Sequence, residues 1–280
     1  MIFDSQYENK EVDWSRLVVP QAEEYDTEFI LSCIGNAGFV RPEIRYCQTM
    51  FGGKVAVRPP QESHNIDSWF RQPVPQEVPN LEYAISLLAC WPEVYRQFPK
   101  IIHTIFPFAI QLDSKHGSSS APDPGNFGAI YVSVFDPIGT AEALVHELAH
   151  QKLLALGVGF ELANRIVSNS PQERYPSPVR EKPRPMTALL HATYSWLHVV
   201  ELDVRLLSVE CEGETDPEVL NTFVHHYLNR NLQILLPAFD VVAKNIKCDR
   251  AGRDFFSGMR DWKSYLTDES QRILEKIEKR

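Results

Sequence analysis

The sequence predicts an α+β protein that is predominantly helical, with a small sheet packed beside one metal-binding helix. Long stretches, among them Thr140 to Leu156 and Met186 to Val209, repeat apolar residues at the helical period. Only short runs are β-branched and aromatic enough for strands, above all Ala129-Ile-Tyr-Val-Ser-Val-Phe135. Directly after that run the helix from Thr140 carries His146-Glu147-Leu148-Ala149-His150, an H-E-x-x-H. A strand leading into such a helix is the local order of zincin-type sites.

Taken in order, Gln21 to Ile34 reads as a first helix closed by Gly35, and Tyr46 to Val57, interrupted by Gly52-Gly53, as a hairpin. Arg58 to Pro79, with five prolines and Trp69-Phe70 among them, reads as a long irregular connection, with His64 an exposed loop residue. Asn80 can cap a helix from Leu81 to about Trp91, and Pro92 opens a short one through Phe98. Ile101 to Phe106 is a strand or a helix end, with His103 at the core edge. Gly117 to Gly128 is a flexible loop that delivers the chain into the strand before the metal helix; it can close over a substrate or be an ordinary turn. Asp136-Pro137 or Thr140 starts the metal helix and Gly157 ends it.

Pro171 to Pro185 holds five prolines, which remove backbone donors and fix φ, so neither helix nor central strand fits. Its Arg174, Arg180, Lys182 and Arg184 form a positive cluster, either a solvated loop or an anion site. Met186 to Val209 is one long helix on which His191, Tyr194, Ser195, His198, Leu202 and Arg205 fall on one side, a polar stripe that wants a partner. Asp216-Pro217 opens a further helix to about Ile246, kinked near Pro237, with His225-His226 pointing different ways; Thr267 to Arg280 is a charged amphipathic end.

A chain of 280 residues can bury a sizeable core, and the expectation is one catalytic domain over 1–280, divisible into an N-terminal lobe at 1–100 and a metal-binding lobe at 101–280. With 28 basic and 37 acidic side chains the net charge is −9, leaving no excess of Lys and Arg to displace counterions, so nucleic acid is not the expected partner. The opening residues show no basic segment followed by an apolar one, and no run reaches the length of a membrane span. Five cysteines without a C-x-x-C suggest neither a disulfide framework nor a zinc ribbon. A soluble cytoplasmic protein is expected. Oligomeric state is not set by these features.

A helix brings residues i and i+4 to one face, so His146 and His150 can grip one ion while Glu147 stands beside them. Imidazole suits zinc, iron, copper and nickel alike. Catalytic sites take a third protein ligand, and the long helix offers His191, His198, Glu201 and Asp203. His191 and His198 stand roughly 10 Å apart along the axis, so only one of them can bind. A glutamate would give a zinc peptidase in which Glu147 is the general base; a histidine would give a neutral three-imidazole set.

Val145 to Leu154, Tyr175-Pro-Ser-Pro-Val-Arg180 and Pro183-Arg-Pro-Met-Thr-Ala-Leu-Leu-His191-Ala-Thr-Tyr194 together resemble the H-E-x-x-H family of peptide-modification proteins associated with ribosomally made peptide natural products. The chain departs from the family pattern at Val179, where tryptophan is expected, and at Leu190 and Ala192, where glycine is frequent. Because members include Fe(II)- and α-ketoglutarate-dependent peptide β-hydroxylases, the resemblance implies His146, His150 and His191 as iron ligands. It also implies Arg180 or Arg184 as the fork for the distal carboxylate of α-ketoglutarate, and a peptide or peptide-like substrate hydroxylated at a side-chain carbon. Glu147 would then hold an imidazole or a water, and Tyr194, one turn beyond His191, would donate a hydrogen bond to the site or else be a core tyrosine. The alternatives are a zinc peptidase with Glu147 as base and Glu201 or His191 as third ligand, and a metal-bound but inactive peptide-binding partner.

Overall fold

The computed structural model describes residues 12–36, 48–59, 70–71, 78–110, 117–123, 125–178, 181–213 and 216–279. His64, Trp69, Val179 and Arg180 lie outside these residues. The protein is mostly helical with a small mixed sheet, as the apolar periods require. Its helices are α1 (Tyr25–Asn36), α2 (Val78–Leu87), α3 (Pro92–Ile101), α4 (Pro137–Ala155), α5 (Met186–Glu212), α6 (Pro217–Phe223), α7 (Asn229–Asn245) and α8 (Arg250–Glu278). Its strands are β1 (Gln48–Met50), β2 (Val55–Val57), β3 (Phe70–Arg71), β4 (Thr104–Ile110), β5 (Ser120–Pro122) and β6 (Ala129–Ser133).

The strands run in the order β1-β2-β4-β6-β5, with β3 also pairing β4. β4 lies parallel to both β2 and β6, while β1, β3 and β5 join antiparallel. Parallel pairing needs crossovers, and the chain between β2 and β4 supplies α2 and α3 for one of them. All five residues of β6 are buried, the pattern of a central strand covered on both faces. The hairpin of β1 and β2 turns at Phe51 to Lys54, with Met50 opposite Val55.

α4 is the centre of the molecule. Fifteen of its nineteen residues are buried, so it is enclosed on nearly every side rather than amphipathic. Asp136 caps it by accepting from the Ile138 amide at 3.2 Å, Pro137 occupies its first turn, and Gly157 follows its end at φ 86°. Burying its apolar side chains is worth about 1.5–3 kcal/mol each and fixes α4 against α2, α5, β5 and β6. Its polar side chains must therefore find partners inside. Lys152 meets Asp26 of α1 at 3.2 Å, Gln151 accepts from the Gly128 amide at 2.9 Å, and Glu142 takes Arg230 at 2.8 Å and Asn231 at 2.7 Å.

Three sequence expectations change. Asn80 does not cap α2, which begins at Val78; its amide donates to the Val134 and Phe135 carbonyls at 2.9 and 3.1 Å and ties α2 to the approach to α4. The irregularity in the helix after Asp216 is a π turn at Val224–Leu228, and Pro237 sits inside α7. The final helix begins at Arg250 and buries Phe255, Met259, Trp262, Leu266 and Ile273. Among the described residues no helix is long and apolar enough to cross a membrane.

Candidate metal centre

The i, i+4 spacing on α4 places the His146 and His150 Nε2 atoms 3.1 Å apart, with their ring centroids at 4.6 Å and the rings nearly perpendicular. α5 packs along α4 and brings His191 to the other side of His150, where the two Nδ1 atoms stand 3.1 Å apart. The second nitrogen of His191, Nε2, lies 2.8 Å from the Val158 carbonyl, just past the end of α4. Phe160, in the same connection, stacks on His191 at 4.2 Å and meets His150 edge-on at 5.3 Å. The loop that ends α4 thus also orients the third imidazole.

Proton positions follow by elimination. A carbonyl can only accept, so His191 carries its proton on Nε2 and presents a bare Nδ1. His150 therefore donates from Nδ1 and keeps Nε2 bare, and His146 donates to it from Nε2 in the metal-free chain; binding one ion through both Nε2 atoms would move the His146 proton to Nδ1. Burial holds His146 and His191 down to about 4 and His150 well below the usual imidazole range, so all three are neutral at pH 7.

This donor set fits a divalent ion. Neutral imidazoles bind metals, and nitrogens 3.1 Å apart match two ligands about 2.1 Å from one ion at roughly a right angle. One ligand atom each from His146, Glu147 and His150 falls within 4.8 Å of the others. Glu147 accepts from the Ser120 hydroxyl at 2.6 Å through Oε1, while its buried Oε2 has no partner among the described residues. Burial pushes the carboxyl up to about 8, opposed in part by Ser120. His191, by contrast, meets His150 on the side away from His146. It holds His150 by a hydrogen bond here, and direct ligation requires that bond to open and the rings to turn.

The centre lies in a cleft of about 400 Å³, with α4 as floor, Ser118 to Pro122 on one wall, and Ala188, Ala192 and Trp196 of α5 on the other. Trp196 packs edge-on to His146 at 5.6 Å, and its buried indole N–H has no partner among the described residues. Arg184 also lines the cleft. Its backbone pairs both ways with Tyr175, at 2.9 and 3.0 Å, which anchors the residue in the proline-rich passage just before α5. Among the described residues its guanidinium has no carboxylate partner, and it lies within electrostatic reach of His150. Arg180 is outside the described residues.

Other sequence candidates are placed elsewhere. Tyr194 is fully buried and donates its hydroxyl to the Val18 carbonyl at 2.6 Å, so it is the core tyrosine and does not line the cleft. Glu201 is held by Arg205 at 2.6 Å and by the Trp262 indole at 2.8 Å, and cannot serve as the third ligand. His198 packs against Trp91 and Trp262. Asp203 shares Asn231 with Glu142; burial raises both carboxyls. Ser120, Phe160 and Trp196 were not singled out from sequence; Ser120, in the loop before the β6 strand, and Trp196, on the helix of His191, carried a positional hint, and Phe160 none.

No protein-family model matches this chain, and a search of curated proteins returns no match. The assignment of chemistry therefore rests on the residues and their geometry.

Proposed function

We propose that this protein is an Fe(II)- and α-ketoglutarate-dependent oxygenase that hydroxylates a side-chain carbon, at the β position, of a peptide or peptide-like substrate. The observation that carries the reading is the meeting of three neutral imidazoles, His146, His150 and His191, with Arg184 in one cleft. Three neutral imidazoles can hold one face of a mononuclear centre and leave positions open, and a cosubstrate bearing two carboxylates is matched by a cation beside it. Loss of Glu201 to Arg205 and Trp262 removes the carboxylate that a two-histidine, one-glutamate peptidase would use. The local order of strand, metal helix and cleft is zincin-like in this reading, with the chemistry changed.

Iron with bound α-ketoglutarate supplies the oxidation: O₂ is consumed, α-ketoglutarate becomes succinate and CO₂, and a substrate C–H becomes C–OH. The chain's own residues do the rest. His146 and His150 would hold the ion through Nε2, with the His146 proton on Nδ1; His191, which Val158 and Phe160 orient, would complete the imidazole set through the Nδ1 that here meets His150. Arg184 receives the distal carboxylate as a fork, a task shared with Arg180 in the family resemblance. Glu147, held by Ser120, keeps one oxygen to orient a water or an imidazole.

One observation keeps hydrolysis as the second reading: that unpartnered Oε2 of Glu147 lies beside the ligand atoms, where a general base acting on zinc-bound water would stand. The two readings separate on one assay. Purified protein supplied with a candidate peptide is expected to consume O₂ and release succinate only with Fe(II) and α-ketoglutarate. Peptide cleavage that persists without O₂ and stops with a zinc chelator would overturn the oxygenase.

A further inference from the structure

We propose that the outer edge of β5 binds the peptide as an added, extended strand, so that recognition is through the main chain at Ser120. β5 is the last strand of its sheet, and among the described residues nothing pairs with its outer side. The register turns alternate residues outward. Ser119 and Asp123 bond to β6 through Ser133 and Ala129, both at 2.9 Å, so Ser120 and Pro122 occupy the positions whose main-chain groups point away from β6. Pro122 has no N–H to lose, and it stands at the parity where none is needed for the ladder. The outer edge thus offers the Ser120 N–H and carbonyl and the Pro122 carbonyl.

The cleft runs along this edge. Five consecutive residues, Ser118 to Pro122, line it, whereas a cleft touching one face of a strand would meet alternate residues. Across it stands the buried, unpartnered indole N–H of Trp196, a second donor facing the same space. Unpaired N–H and C=O groups at strand spacing are complemented by another extended backbone, and not by a helix, whose own main chain is already bonded. The edge is also held in place. The Gly117 amide donates to Asp136 at 2.8 Å, the Gly117 carbonyl sits where a Cβ on Gly139 would come within 2.3 Å, and Ser120 is tied to Glu147. A peptide aligned at Ser120 therefore passes next to the residue between the two histidines.

What happens to the peptide after binding rests on the oxygenase reading; the binding mode does not. Displayed random twelve-residue peptides can be selected on the 280-residue chain without metal or cosubstrate, and their affinities then measured for wild type, Ser120→Ala and Ser120→Pro. The Pro variant removes the outward N–H and leaves the β6 ladder whole; the Ala variant keeps the N–H and loses only the hydroxyl. Peptides are expected that weaken about tenfold or more on Ser120→Pro and far less on Ser120→Ala, as for one well-placed main-chain bond. Should Ser120→Pro fail to fold, N-methylation of single peptide residues on the wild-type chain asks the same question, and one or two positions are expected to abolish binding. Selection that enriches no peptide, or only peptides indifferent to both the Pro variant and N-methylation, would overturn the edge-strand mode. Main-chain-dependent binding without turnover would leave this inference standing and remove the oxygenase.

Discussion

Two polar clusters on α4 invite comparison. Lys152, two residues after His150, is fully buried with Asp26, and Asp26 also accepts from Gln97 at 2.7 Å and from the Gln21 amide at 3.2 Å. Both carboxylate oxygens of Asp26 are used, while the buried Gln97 Oε1 beside them has no partner among the described residues and does not line the cleft. One turn earlier, His146 and His150 are bonded to each other and Glu147 accepts from Ser120, yet Glu147 Oε2 and the Trp196 N–H remain without partners among the described residues, beside an open cleft. Buried polar groups that close on themselves hold the fold; those that leave atoms unpaired beside a cavity are set up for a ligand. The difference teaches that burial alone does not identify function on this helix. What matters is whether the unsatisfied atoms face the cleft.

The largest effect that can break the comparison is on stability. Asp26→Ala strands the Lys152 ammonium in the core and is expected to cost about 3–5 kcal/mol, with the double change to Asp26→Ala and Lys152→Met recovering most of it. His146→Ala, at the half-buried edge of the cleft, is expected to cost about 1 kcal/mol or less while removing metal binding. Urea midpoints and metal titrations on the same variants check both halves. Equal destabilisation by the two single changes would mean that the clusters do not differ in kind.

A smaller effect sharpens it through pH. Glu147 titrates at about 8 in the metal-free folded chain against 4.5 when exposed, so between those values the folded state keeps a proton that the unfolded state has released. Stability of wild type relative to Glu147→Gln is therefore expected to fall as pH rises from about 4.5 through about 8, and to level off above. A bound divalent cation favours the carboxylate, so saturating metal is expected to flatten that fall. Denaturation midpoints across the window, with and without metal, give the answer; a difference independent of pH would mean that Glu147 is not buried as described.

Much of this was legible in the sequence where periodicity was strong. α4, α5, the β1–β2 hairpin and β6 follow from their apolar periods and their caps. β5 was not, because Ser-Ala-Pro carries no strand propensity and its pairing comes from Ser119 and Asp123 meeting the partner strand. The H-E-x-x-H of α4 was visible as a motif, but the roles along α5 needed tertiary context. His191 and Tyr194 share one side of a helical wheel, yet three positions leave them about 60° apart, enough for one to reach His150 and the other Val18. Glu201 and Asp203 resemble ligands by type; Arg205, Trp262 and Asn231, which occupy them, come from elsewhere in the chain or a turn away.

The central claim, that this cleft binds iron together with α-ketoglutarate, is tested most directly by anaerobic titration of the purified chain with Fe(II) and then α-ketoglutarate, followed by visible absorption. The account predicts one ion per chain and a charge-transfer band that needs both components, is absent in His146→Ala and His150→Ala, and requires much more α-ketoglutarate in Arg184→Ala. Stoichiometric metal binding with no such band at any α-ketoglutarate concentration would contradict it.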